Sequence, residues 1–268
     1  MGVRHVMGTG TYLGRPSMVG RRKKAIFSFI KDRIWKRINS WRGRPLSKAC
    51  KEIMIKSVLQ AIPSYGMSVF ILPDTLVEDI EKMLNAFWWG GASNNKGIRW
   101  LAWDSLTYPK NEGGLRFRDF KAFNMAMVAK QGWHIMNNQN TLFSKVFKAK
   151  YFPNSSFLAA DLGTNPSLVW RSLWTARQVL VLGSRWRIGD GSNINVMREP
   201  WLRGVEGGRM EAPQEEHVYS LVVKDLMDPL CKQWDRNKID QLFTDEITDI
   251  ILQVPLVGDV TEDGIVWK

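Results

Sequence analysis

The sequence predicts a mainly α protein: a helical bundle, then a second helical region that carries one small β-hairpin. Three observations predict it. Apolar residues recur at three- and four-residue spacing in several long stretches, Ile26-Ile30-Ile34-Ile38-Trp41 being the first. Capping and breaking residues bracket those stretches. Alternation with a period of two, by contrast, is confined to a short stretch near residue 190.

In chain order, Met1–Gly10 is glycine-rich and lacks periodicity, so it reads as an irregular lead-in. Thr11-Tyr12-Leu13-Gly14 reads as a short strand or turn ending at glycine. The helix that follows carries its apolar row with Phe27, and it stops near Gly43 and Pro45. Lys24, Lys31, Trp35 and Arg42 fall on one flank of that helix, Arg33 and Lys36 on the other. Ser47 is placed as the N-cap of a second helix, with Ile53, Met54, Val58 and Ile62 on a broad apolar face and Pro63 ending it. Residues 65–72 are too uniformly apolar for periodicity to decide their state. Thr75-x-x-Glu78 has the form of a capping box ahead of Leu76, Ile80, Leu84 and Phe87, a third helix closed by Trp88-Trp89-Gly90-Gly91. Residues 99–103 read as a short extended piece, and Pro109–Gly114 as turn chemistry. Further helices are predicted over 119–136, 142–151 and 167–180. Arg185–Ile188 and Asn193–Met197 flank Gly189-Asp190-Gly191-Ser192, which predicts a hairpin over 185–197. Residues 204–217, glycine-rich and acidic, read as a linker. Helices near 218–227, 237–243 and 245–252 follow, the last with Thr244 as N-cap. The domain reading is therefore 1–20, 21–92, 93–203, a linker at 204–217, and 218–268.

Composition narrows the class. With 268 residues, 44% hydrophobic and 24% charged, the chain is globular rather than disordered. Thirteen tryptophans must mostly be buried, each indole N–H needing a partner. Two cysteines exclude a cysteine-rich zinc site and a disulfide scaffold, and fit a reducing, intracellular setting, nuclear or cytoplasmic. No apolar run reaches the roughly 18–20 residues of a membrane span, so no membrane partner is expected.

Charge points to a partner. Between Arg15 and Lys56 there are fourteen Lys or Arg against two acids, a net of +12 that equals the charge of the whole protein. Such a segment suits a polyanion, nucleic acid above all. A solvated basic helix, or a nuclear-import signal on Arg21–Lys24 in a helical interaction module, explains the same charge. Other motifs take plain readings. His134 has no Cys or carboxylate partner nearby and is read as structural. Gly189-Asp190-Gly191 is read as a turn, not a catalytic aspartate. Gly8-Thr9-Gly10 lacks the Gly-Lys-Ser/Thr that a phosphate loop needs. Trp88-Trp89 is read as core or interface in preference to a base-stacking pair.

Nine ordered runs resemble the C-terminal half of reverse transcriptases from plant non-LTR (LINE-type) retroelements, proteins often named for ribonuclease H. They include Tyr12-Leu13-Gly14, Trp41-x-Gly43-x-x-Leu46-Ser47, Ile62-Pro63-Ser64-Tyr65, Phe87-Trp88-Trp89-Gly90 and Glu112-Gly113-Gly114-Leu115-x-Phe117-Arg118-Asp119-Phe120. Ala129-Lys130-Gln131-Gly132-Trp133, Lys148–Pro153, Trp170-Arg171-Ser172 and Trp186–Gly191 complete the series. The resemblance implies that Tyr12, Leu13 and Gly14 form a primer grip and that the basic helices form a thumb closing on template–primer duplex. It implies nucleic-acid contacts by Arg15, Arg21, Arg22, Lys23, Lys24, Lys31, Arg33, Lys36, Arg42, Arg44 and Lys48. It also implies what to look for elsewhere. Polymerisation needs paired carboxylates holding two metal ions, and no Asp-Asp pair occurs in this sequence. The palm is expected upstream, as a further partner, and a zinc-binding segment and ribonuclease H domain downstream. The expectation is a non-catalytic fragment that needs no cofactor.

Overall fold

The structure, a computed structural model, describes residues 11–12, 15–16, 23–90, 98–211, 214–228 and 231–267. Ten α-helices and two small antiparallel strand pairs make up its regular elements among these residues, so the chain is mainly α. It divides into two compact units, residues 1–177 and 178–268. The boundary falls within a helix rather than at the 204–217 stretch.

In unit 1, β1 (Thr11–Tyr12) pairs with β2 (Arg15–Pro16), placing Tyr12 opposite Arg15. Helix α1 (Lys23–Ser40) buries Phe27, Ile30 and Ile34 against α4 (Asp74–Trp89), which contributes Leu76, Ile80 and Leu84. Helix α2 (Lys48–Met54) starts where the sequence places it, with the Ser47 hydroxyl accepting from the Cys50 amide at 3.2 Å. It then widens into a π-helical turn over Ile55–Leu59. Lys51, Ile55 and Leu59 form the inward row and are buried, while Ile53, on the opposite side of the helix from Lys51 and Ile55, is 65% exposed. The sequence reading puts Ile53 on the apolar face, and the structure corrects it.

The undecided stretch after Pro63 forms a single turn, α3 (Ser64–Met67), and irregular backbone. Three of its backbone polar groups are satisfied by one side chain of α6 (Phe120–Asn137). The buried Asn124 donates to the Met67 and Phe70 carbonyls and accepts from the Leu72 amide, all at 2.8 Å. The capping box at Thr75 does not form, because Pro73 occupies the N-cap and Thr75 lies inside the first turn of α4. Residues 98–102 are not a strand, and α5 (Trp103–Thr107) follows them. Between α5 and α6, Gly114 sits where a Cβ would come within 2.0 Å of the Tyr108 carbonyl oxygen, so the Glu112-Gly113-Gly114 motif is a close backbone crossing. Asp119 caps α6 by accepting from the Ala122 amide at 2.9 Å. Helix α7 (Leu142–Tyr151) stands on an aromatic stack, with Tyr151 4.6 Å from Trp170 of α8 (Leu168–Gly183).

Unit 2 corrects the hairpin. β3 (Ser184–Arg187) pairs antiparallel with β4 (Gly264–Trp267), not with residues 193–197; Asn195 instead bridges to Val222. The local turn signal is real, but its amides are used at long range. The Asp263 carboxylate accepts from the Gly189, Gly191 and Asn193 amides at 2.7, 2.9 and 3.0 Å. A Cβ on Gly189 would lie 2.1 Å from the Glu262 carbonyl carbon, which is why that position tolerates no side chain. The 204–217 stretch is not a free linker either: Met210 is buried in the second core and Val205 packs against it. Residues 218–227 contain short 3-10 turns in place of a helix. The α9 (Arg236–Leu242) and α10 (Asp245–Leu252) helices lie where the sequence puts them, although Thr244 makes no side-chain cap bond.

Six indoles donate to carbonyl or carboxylate oxygens: Trp103, Trp170, Trp174, Trp186, Trp201 and Trp234. The indole nitrogens of Trp88 and Trp89 are buried without a hydrogen-bond partner.

Candidate nucleic-acid interface

Alpha-helix α1 has one row that must be buried and several cations that cannot be. With Phe27, Ile30 and Ile34 at 0–2% exposure, the intervening positions are forced outward. Arg33, Lys36 and Arg37 are exposed along it, and Arg42 and Arg44 are exposed in the turn that follows. Among the described residues none of these five forms an ion pair. Trp35, 54% exposed, projects from the other flank. Arg37, which the motif series did not single out, lies one turn from Arg33 and 5.7 Å from the ring centre of Trp41. The spacing of four between Arg33 and Arg37 was the signal that could have found it.

The remaining cations of the basic segment differ in their surroundings. Lys31 reaches Asp79 on α4 at 3.0 Å with both side chains partly exposed. Lys48 donates to the Trp88 carbonyl at 2.8 Å, and its ammonium stands 4.6 and 4.7 Å from the ring centres of Trp88 and Trp89. Lys51 is buried and donates to the Gly90 carbonyl. Burial holds the Lys48 ammonium below its ordinary pKa; burial and then the neighbouring Lys48 charge do the same for Lys51. Together the two amines close the carbonyl end of α4, where a helix lacks internal donors and favours positive charge. Lys48 is exposed as a residue, but its ammonium is engaged by the end of α4. Lys56 is also paired, with Glu52 at 2.6 Å, and Glu52 in turn meets Lys110 at 3.3 Å.

Leu13, Gly14, Arg21 and Arg22 lie outside the described residues. Tyr12 and Arg15 are cross-strand neighbours, and Lys23 and Lys24 begin α1. The structure thus brings Arg33, Lys36, Arg42 and Arg44 onto exposed ground at the C-terminal half of α1 and its turn, adds Arg37, and engages the Lys48 ammonium at the end of α4.

Unit 2 holds a cleft of mixed charge. This cleft, of about 630 Å³, is lined by three lysines and three aspartates, among them Lys224, Lys238, Asp190 and Asp228, so it has no net attraction for a polyanion. His134 meets Asn138 at 3.0 Å on the surface of α6. Among the described residues no group of three or more His, Cys, Asp and Glu is arranged to hold a metal ion.

No protein-family model matches the chain, and no solved structure matches it. Over 263 residues it is 30% identical to the "Putative ribonuclease H protein At1g65750" of Arabidopsis thaliana, covering 94% of this chain and 42% of that protein. The chain therefore spans less than half the length of this relative. Over 143 residues it is 38% identical to the "Uncharacterized mitochondrial protein AtMg00310" of the same plant, covering 53% of this chain and 93% of that protein. With so much of that protein matched, the chain belongs to the family of the Arabidopsis mitochondrial protein AtMg00310.

Proposed function

We propose that the chain is the thumb and connection region of a transposon-derived reverse transcriptase, binding template–primer duplex through α1 without sequence preference and without turnover of its own. The observation that carries this is the division of α1 into a buried apolar row and an exposed row of unpaired cations. Guanidinium and ammonium groups set along a helix contact phosphate oxygens, which fix position and carry no sequence information. The strand pair ahead of α1 supports the reading, since its backbone register pairs Tyr12 with Arg15 just before the basic helix. A relative named for ribonuclease H, aligned over nearly the whole chain, supports a place beside an RNA–DNA hybrid.

The test is equilibrium binding of a labelled RNA–DNA duplex across a salt series. Affinity should fall linearly on a log–log plot, and Arg33→Gln with Lys36→Gln and Arg37→Gln should flatten the slope by about 3. Affinity indifferent to salt, or to this triple change, would overturn the proposal. Primer extension should be undetectable with Mg²⁺ present; measurable extension would overturn the non-catalytic part.

A further inference from the structure

We propose a second nucleic-acid-binding face, on α6 and α7, that contacts the phosphate backbone independently of α1; it rests on the reading just given. Residues 1–177 hold 28 Lys and Arg against 10 acids, whereas residues 178–268 hold 10 against 16. The positive excess of the first unit is larger than the α1–α2 segment supplies. The balance comes largely from residues 120–160, which contain five lysines and neither Asp nor Glu. The acidic second unit hides this in any whole-chain sum.

Four of these lysines, Lys130 on α6 and Lys145, Lys148 and Lys150 on α7, are exposed. Among the described residues none of the four forms an ion pair, whereas the fifth, Lys121, meets Asp74 at 3.6 Å. The helix dipole accounts for Lys148 and Lys150, which stand in the last turn of α7. It does not account for Lys130 or Lys145. Nor does it account for the first turn of α7, which lacks the acids that the dipole favours there. Lys145 and Lys148, three apart on one helix, repel each other with no carboxylate between them. An array of external anions relieves that repulsion, and a phosphate backbone supplies one charge per about 1.7 Å of duplex.

Geometry fits a grip. The inner side of α7 is fixed by Phe147 and Tyr151 against Trp170, so the lysines project from an anchored helix. Leu142 and Val146 are also exposed on α7, at 78% and 53%, and an apolar groove rimmed with carboxylates on a protein partner would use them. Helix α6, however, which carries the exposed Lys130, exposes no large apolar side chain. That favours nucleic acid.

The experiment uses the full chain and the same labelled duplex. Lys145→Gln with Lys148→Gln should flatten the log–log salt slope by about 2, and should do so additively with Arg33→Gln and Arg37→Gln. A slope unchanged by the α7 pair, while the α1 pair retains its effect, overturns this inference and leaves the first reading standing. Absence of salt-dependent binding by the unmodified chain overturns both. Leu142→Ser with Val146→Ser should leave affinity unchanged; a loss equal to that of the lysine pair would assign the face to a protein partner instead. Thermal melts of each variant separate lost contacts from lost fold, and Lys130→Gln, on a different helix, gives a third reading of the slope.

Discussion

At the scale of single residues, two side chains in unit 1 have measurable consequences. Asn124 satisfies three backbone groups in the turn after α3 from inside the core. Replacing it with Leu keeps the volume and strands two carbonyls and one amide. Asn124→Leu should cost about 2–4 kcal/mol, read as a lower midpoint in denaturant with the slope unchanged. Glu81 on α4 behaves differently. Burial first, then Asp104 and Asp119, then Glu78, raise its pKa to about 7, against a hydrogen bond from the Phe120 amide. A carboxyl whose pKa is higher folded than unfolded stabilises in full below the unfolded value. That contribution fades as pH rises from about 4.5 to about 7. Glu81→Gln should therefore be more stable than the parent above pH 7, by about 1 kcal/mol once partial exposure is discounted, and should lose that advantage near pH 4.5. Equal melting curves at pH 8 would show that the carboxylate is adequately solvated. The role of Asn124 was not legible in the sequence, because its partners lie tens of positions away, and Glu81 reads there only as one of three acids, with Glu78 and Asp79, at a helix start.

At the scale of elements, the sequence was legible wherever a helix carried its own start signal. Ser47, read from the sequence as an N-cap, accepts from an amide three residues on, as do Asp119 and Thr141 ahead of the helices predicted over 119–136 and 142–151. It was illegible where a residue's use is decided at a distance. The Gly189–Asn193 turn serves a carboxylate some 70 positions later. The cations of α1 and α2 split the same way. Exposure of Arg33, Lys36 and Arg37 follows from the apolar period, but the contacts of Lys48 and Lys51 need the end of α4 in place. From that geometry, Lys51→Met should destabilise unit 1 by about 1–3 kcal/mol while leaving duplex affinity of the folded protein nearly unchanged. Arg37→Gln should do the reverse. Chemical denaturation paired with anisotropy titration distinguishes them.

At the scale of the whole molecule, each unit has its own core. Gly189→Ala, which forces the Glu262–Asp263 backbone away, should lower the melting of the second unit and leave the signals of the first in place. Hydrogen exchange resolved along the chain would show it, with lost protection confined to residues beyond 178.

The pairing of β3 with β4 also sets an order of events in the cell. Ser184 meets Trp267, 83 positions later, and the amides of the Gly189 turn wait on Asp263. Closing a loop of that length costs entropy that only the finished contact returns. On the ribosome, unit 1 can fold while synthesis continues. Unit 2 must hold an incomplete core, with a turn of unanswered amides, until residues 263–267 have emerged, and during that interval it is the segment most in need of a chaperone.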